Sequence, residues 1–286
     1  MKDTLTQSRG SLRRRFVLTV FAIVLFAVGA SVGTATLVIS RTLEEEARQA
    51  ALQGVEGLEQ NLADLRSKAL GHALVLAANP LVAQGVAAGD REGLLRVLQP
   101  LAEGAGVDFV TVTDPAGKVL VRTHEPGKHG DDVTNQANVR SALAGTPLDT
   151  VEEGTAVRLS ARAGAPVRDG SGAVLGVVST GYDLTRDHLV DRVKQLFGVD
   201  ATLFLRDERV STSLQENGKR LVGTKLKPDL AERVLGRGES FSGEADILGR
   251  AYVTAYRPLP GPDGKPLGIL FAGKSMEAVA RARNHI

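Results

Sequence analysis

At 286 residues the chain has room for two domains besides a membrane segment. It contains no cysteine, which excludes a disulfide scaffold and thiolate-ligated metal, and its net charge of +2 is too near balance to point to nucleic acid. Charged residues are spread along the chain apart from one N-terminal cluster.

In residues 1–15, Lys2, Arg9, Arg13, Arg14 and Arg15 stand against one acid, Asp3. Phe16 to Ser40 follows without a charged residue, and as a helix it would run about 37 Å, enough to cross a bilayer with some tilt. The basic cluster before it places the N-terminus in the cytoplasm and everything after Arg41 outside. A cleaved signal peptide, cut after Val28-Gly29-Ala30, is the alternative. Apolar residues continue to Ile39, past a usual signal core, which favours an anchor. Gly29 and Gly33 form a small-xxx-small pair, a spacing that lets two membrane helices approach and that is also ordinary in such helices.

Residues 41–78 lack proline and read as a stalk helix. Leu43, Ala47, Ala51, Val55, Leu58, Leu62, Leu65 and Ala69 step by threes and fours along one face, with Glu44, Glu45, Glu46 and Arg48 on the other. The stripe needs a partner, either a second copy in a homodimer or the domain that follows. Asn79-Pro80 ends the helix, and a further helical stretch runs from about Pro80 to Ala102.

A first domain is expected over 79–190. Val107–Thr113 and Lys118–Thr123 read as strands around the turn Asp114-Pro115-Ala116-Gly117. Asn135–Ala144 reads as a short helix closed by Gly145. Thr155–Ala163 alternates, with Val157, Leu159 and Ala161 on one face and Arg158, Ser160 and Arg162 on the other. The strand continues through Ala165-Pro166-Val167 into the hairpin at Asp169-Gly170-Ser171-Gly172 and the buried strand Ala173–Thr180.

A second domain is expected over 191–275. Its strands are Asp200–Leu205, Arg209–Ser213, Glu239–Ala245, Arg250–Arg257 and Pro266–Ala272, with a helix over Pro228–Leu235 and a turn at Gly261-Pro262-Asp263-Gly264. Residues 276–286 belong to a helix, Ser275–Asn284, directed toward the membrane. The two domains repeat at 92 residues: Val107-Asp108 recurs as Val199-Asp200, Pro166, Gly172, Leu175 and Gly176 as Pro258, Gly264, Leu267 and Gly268, and Gly181 as Gly273. Two copies at so long a period mean tandem domains rather than a solenoid. The fold class is α+β: an N-terminal transmembrane helix, a stalk helix, and two PAS-like domains each with a central antiparallel sheet.

The strings VTVTDPAGKVLVRTH, NVRSALAG and APVRDGSGAVLGVVSTGYDL, with TLFLRDERVSTSLQENGKRLVGTKL and YVTAYRPLPGPDGKPLGILFAGKS further on, resemble the extracytoplasmic double Cache domain of bacterial chemoreceptors and sensor histidine kinases. The first domain is most similar to citrate and C4-dicarboxylate sensor domains. The resemblance implies that an Arg and a nearby His on the second strand grip carboxylate, together with an Arg on the strand before the Pro-Val hairpin. Arg122 and Arg162 stand at the arginine positions. His124 follows Arg122 by two residues where the family pattern has three, and Gly164 replaces a basic residue, for which Arg158 would compensate. Tyr182 and Asp183 would add a hydroxyl and an amine-binding carboxylate. Guanidinium forks suit carboxylates because they match them bidentately. Arginines alternating on a strand also describe an ordinary solvated face. At the repeat offset Thr254 replaces Arg162, so the membrane-distal first domain is expected to bind and the second to relay.

The expected ligand is a small carboxylate or an amino acid, with no cofactor and no metal; His72, His129, His188 and His285 lack metal spacing. No G-x-S-x-G, H-E-x-x-H or P-loop pattern marks an enzyme. Receptors of this kind continue into a second membrane helix, a HAMP linker and an output domain. None follows here, so the expectation is a fragment or a receptor that signals through a separate protein. The competing reading is an anchored adaptor that binds a partner protein instead of a small molecule.

Overall fold

The structure, a computed structural model, describes residues 6–277. The expected C-terminal helix beyond Glu277 and the first residues of the basic tail lie outside the described residues.

One helix, α1 (Thr6–Ala77), runs through two compact units, residues 1–47 and 48–286. In the first unit the described side chains between Phe16 and Ile39 are exposed, Phe26 by 79%, as a helix built to face lipid would be. In the second unit the apolar stripe of α1 is fully used by the chain's own sheets. Ala51, Val55, Leu58 and Leu62 are buried in the core of the second sheet, and Ala69, Ala73, Leu76 and Ala77 in that of the first. Of the two partners that the stripe allowed, the domains of the same chain cover this face. Gly54 and Gly57 permit the contact, since a Cβ on Gly54 would lie 2.6 Å from Val199 Cγ2 and one on Gly57 2.5 Å from Phe197 Cε2.

The stretch after α1 is two helices, α2 (Pro80–Ala88) and α3 (Arg91–Ala105), rather than one. Gly89 ends α2 in the left-handed conformation, and the Asp90 side chain accepts from Gly93 N to start α3. The first sheet follows as β1 (Phe109–Thr113) and β2 (Val119–Arg122), then α4 (Ala137–Leu143), β3 (Leu148–Glu152), β4 (Ser160–Arg168) and β5 (Val174–Asp183). The strand expected over Thr155–Ala163 begins only at Ser160, and β3 takes its place as the partner of β4. As an edge strand carrying Asp149 and Glu152, β3 has little apolar signal to read.

The second domain comprises α5 (His188–Phe197), β6 (Asp200–Leu205), β7 (Glu208–Thr212), the short pair β8 (Gln215–Glu216) and β9 (Lys219–Arg220), α6 (Pro228–Ala231) leading into a π-helical turn (Glu232–Gly236), then β10 (Phe241–Ile247), β11 (Arg250–Pro260) and β12 (Pro266–Ser275). The sheet orders are β2-β1-β5-β4-β3 and β7-β6-β12-β11-β10, the same antiparallel topology twice. The long hairpins correspond at 92 residues, since Arg162 faces Gly181 as Thr254 faces Gly273. The first strands correspond at 91, since Phe109 faces Gly181 as Asp200 faces Gly273. The Val-Asp match is therefore one residue out of structural register, whereas the glycines repeat for a physical reason. A Cβ on Gly176 would overlap the Thr113 carbonyl oxygen, and one on Gly268 the Phe204 carbonyl oxygen.

Candidate functional site

The first sheet presents one face to α1, α2 and α3 and the other to α4 and the loops around it. On the second face four residues stand in a row across the strands: Phe109, Gly181, Arg162 and Thr150. Gly181 is the floor of this row. A Cβ there would come within 2.5 Å of Phe109 Cζ and 2.9 Å of Arg162 Cβ. The Arg162 stem and the Phe109 ring therefore lie side by side, with the guanidinium carbon 5.3 Å from the ring centroid.

Arg162 is 4% exposed and all its hydrogen-bond acceptors are neutral. Nε donates to Ser160 Oγ at 2.5 Å, Nη1 to Gln136 Oε1 at 2.7 Å, and Nη2 makes a long contact with Val157 O at 3.5 Å. Burial pulls its pKa from 12.5 down to about 10, opposed only by the nearby charge of Glu152. Glu152 is itself committed, accepting from Ala137 N at 2.8 Å and Asn138 N at 3.3 Å at the start of α4. Arg162 is thus a buried cation with no hydrogen-bonded carboxylate, an arrangement that folding alone disfavours.

Two more of the expected residues join it around a cavity of about 20 Å³, room for a single water. Arg122 lines the cavity, but its fork already holds Asp131, at 2.8 and 2.6 Å, and Lys128 O. That bond holds the Asp131 carboxyl below its usual range. Arg122 braces the loop after β2 and adds positive potential. His124 packs against Phe109 with ring centroids 5.5 Å apart, and both its nitrogens are buried without a partner. Burial first, then Arg122 and Arg162, push its pKa down against the pull of Glu125. The imidazole is therefore held neutral beside the cation.

The structure separates the other three expected residues from this cavity. Arg158 does not share the face of Arg162; it lies in the loop before β4, where it forms a bidentate pair with Glu208 of the second domain at 2.9 and 3.0 Å. Tyr182 points to the opposite face of β5 and, with Asp183, lines a cleft of about 320 Å³ between the domains, beside Lys68 of α1 and Arg192 of α5. Asp183 Oδ1 accepts from Thr185 N and Oγ1, so it serves a turn. Gly164, where the family pattern has a basic residue, has no room for a side chain: a Cβ would lie 2.5 Å from Asn138 O.

Sequence reading did not single out Phe109, Gln136, Ser160, or the loop Thr155–Val157 that forms the outer wall of the cavity. Gln136 sits at the N-cap position of α4 yet makes no capping bond, because its side-chain oxygen goes to Arg162. Among the described residues no acidic side chain lines the cavity. Among the described residues no group of three His, Asp or Glu side chains is placed to hold a metal ion.

The second domain lacks this site. The row Thr111–Arg122 becomes Thr202–Thr212, whose hydroxyls bond each other at 2.6 Å, and Arg162 becomes Thr254. The space is filled by Phe204, Tyr256 and Phe271, with Tyr256 and Phe271 ring centroids 5.0 Å apart. Burial raises the Tyr256 hydroxyl to about 12. Arg209 is likewise a buried cation with neutral acceptors, stacking over Phe204 at 5.0 Å and donating to Thr224 Oγ1 and Lys225 O, with its Nε unpartnered.

Sequence profiles of the family described as single Cache domain 3 match the chain twice, over residues 41–187 and 183–286. The chain belongs to this family of Cache sensor domains, carrying two in tandem. A comparison with curated protein sequences finds no match. Among solved structures, the chain is similar to the sensor domain of the V. cholerae histidine kinase DctB, at 12% identity and a TM-score of 0.56, covering 82% of this chain and 98% of that one. It is similar to the ligand-binding domain of the Campylobacter jejuni chemoreceptor Tlp3 in complex with 4-methylisoleucine, at 12% identity and 0.54, covering 84% and 94%. It is also similar to the ligand-binding domain of Mlp24 with asparagine, at 14% identity and 0.52, covering 84% and 97%. At such identities the likeness concerns the fold.

Proposed function

We propose that the chain is a membrane-anchored, extracytoplasmic sensor whose first, membrane-distal domain captures a small carboxylate on Arg162, while the second domain relays the event. The observation that carries this reading is the buried Arg162 guanidinium, which has neutral partners only. A carboxylate entering beside it would supply the missing charge, and the unpartnered His124 nitrogens would take up a second polar group of the ligand. The absence of an acid from the lining favours a carboxylate over an amino acid, whose ammonium would find no counter-charge there. The apolar helix segment and the arginines that precede it support an anchor with a cytoplasmic N-terminus.

The test is a thermal melt of the full chain in detergent micelles against acetate, pyruvate, succinate, citrate and L-isoleucine. A ligand at a hundred times its dissociation constant adds about 2.7 kcal/mol of stability. The reading requires a shift with at least one carboxylate that disappears in Arg162→Met. A shift that survives this substitution puts the site elsewhere; no shift with any compound, together with a co-purifying protein, would favour the adaptor.

A further inference from the structure

The cavity beside Arg162 is too small for any carboxylate, so a wall must move for a ligand to enter. Phe109, Thr111, Arg122 and Arg162 stand on paired strands, which resist displacement. The loop Glu153–Leu159 is not part of a strand, and its exposed residues Thr155 and Ala156, with Val157, line the cavity. Leu159 anchors the end of the loop, buried in the core and accepting from Leu184 N at 3.0 Å, but the inward contacts of its middle are slight: Gly154 abuts the guanidinium, and Val157 O meets it only at 3.5 Å.

The contacts of this loop outward are stronger and go to one place. Glu153, before the cover, accepts from Arg206 at 2.7 Å. Arg158, after it, forks onto Glu208 at 2.9 and 3.0 Å. Arg206 is the first residue of the two-residue turn between β6 and β7 of the second domain, with a left-handed φ of 52°, and Glu208 is the first residue after it. Both ends of the cover are therefore fastened to the same tight turn of the neighbouring domain, with charges of opposite order at the two ends. The pairing holds the Glu208 carboxyl below and the Arg158 guanidinium above their ordinary values.

We propose that this double ion-pair clamp is the coupling between the domains: a ligand that lifts the Thr155–Val157 cover pulls on the β6–β7 turn, and the second domain in turn holds the pocket shut. Arg158 and Glu208 are positioning residues here and do not touch the ligand. The inference rests on the site being the Arg162 cavity, and it assigns to Arg158 a role different from ligand binding. By linkage, whatever the clamp transmits outward it also subtracts from affinity, so cutting it must tighten binding while uncoupling the domains.

The first readout needs no ligand. Amide hydrogen exchange of the full chain in micelles is compared for wild type, Glu208→Ala and the charge swap Arg158→Glu/Glu208→Arg. Half-exposed ion pairs are weak, so exchange at 155–159 is expected to quicken by about two- to tenfold in Glu208→Ala and to return toward wild type in the swap. A cover whose exchange is unchanged by an alteration made in the other domain would overturn the proposal. The second readout is the affinity for acetate, pyruvate, succinate and citrate, which should rise by about two- to fivefold in Glu208→Ala for any that binds; equal or weaker binding would overturn the coupling. If none of the four binds the wild type, the carboxylate reading fails, and the clamp is then judged by exchange alone.

Discussion

Replacing Arg162 by methionine distinguishes a cation held for a ligand from one that holds the fold together. Burial lowers its pKa from 12.5 to about 10. At about 1.36 kcal/mol per unit, the charged side chain costs the ligand-free fold on the order of 3 kcal/mol. The unfolded chain binds this proton more tightly than the folded one. The penalty is complete at any pH below about 10 and fades only between there and 12.5, so it applies in full at neutral pH. Methionine removes it but leaves Gln136 Oε1 without a donor, a loss of about 1–3 kcal/mol. The two nearly cancel, so ligand-free Arg162→Met should melt within a few degrees of wild type or above it, an outcome within about 1 kcal/mol. Removal of a buried side chain that stabilises the fold costs about 2–5 kcal/mol instead. The chain has no tryptophan, so far-UV circular dichroism in urea and on heating is the suitable assay. A loss above about 3 kcal/mol would refute the reasoning, because Arg162 would then be a keystone of the sheet.

His124→Phe should melt higher than wild type, since it removes two buried nitrogens without partners, and the advantage should widen in acid. The folded pKa lies below the ordinary 6.5, so as pH falls through 6.5 the unfolded chain takes up a proton that the folded chain refuses, and stability drops. Melts of both proteins between pH 5 and 7.5 would show it, and parallel curves would contradict it. Gly176→Ala should cost at least about 2 kcal/mol, because its methyl group meets a backbone carbonyl of β1 that cannot rotate away; a melt unchanged from wild type would show that the strands separate more easily than their pairing implies.

Much of the architecture is legible along the chain. Apolar runs and alternation identify the anchor and most strands, Asn79-Pro80 marks the end of α1, and the Pro and Gly repeats reveal two domains of one topology. Those repeats are readable because each glycine answers a local demand, a turn or a close approach to a carbonyl, that leaves no choice of residue. Arg122, His124 and Arg162, which the family resemblance marked, line one cavity. Arg158 misleads because alternation carries no record of where a strand begins. Only the pairing of β3 with β4 starts the strand at Ser160 and leaves Arg158 in a loop, free to meet Glu208 fifty positions away. Tyr182 stands apart for a related reason: period two puts it opposite Gly181, and only the sheet as folded shows which face holds the cavity; Asp183 shares the parity of Gly181 but gives its carboxylate to the turn at Thr185.

The sequence by itself determined the local quantities: helix and strand periods, turn chemistry, the charge-free span and the supply of arginines. Tertiary structure alone decided what depends on contacts between distant residues. The stripe of α1 is spent on the chain's own sheets, Glu152 is claimed by the start of α4, and Arg162, like Arg209 of the second domain, is left buried with neutral partners. Charge balance in a buried site is a sum over neighbours that chain order does not list.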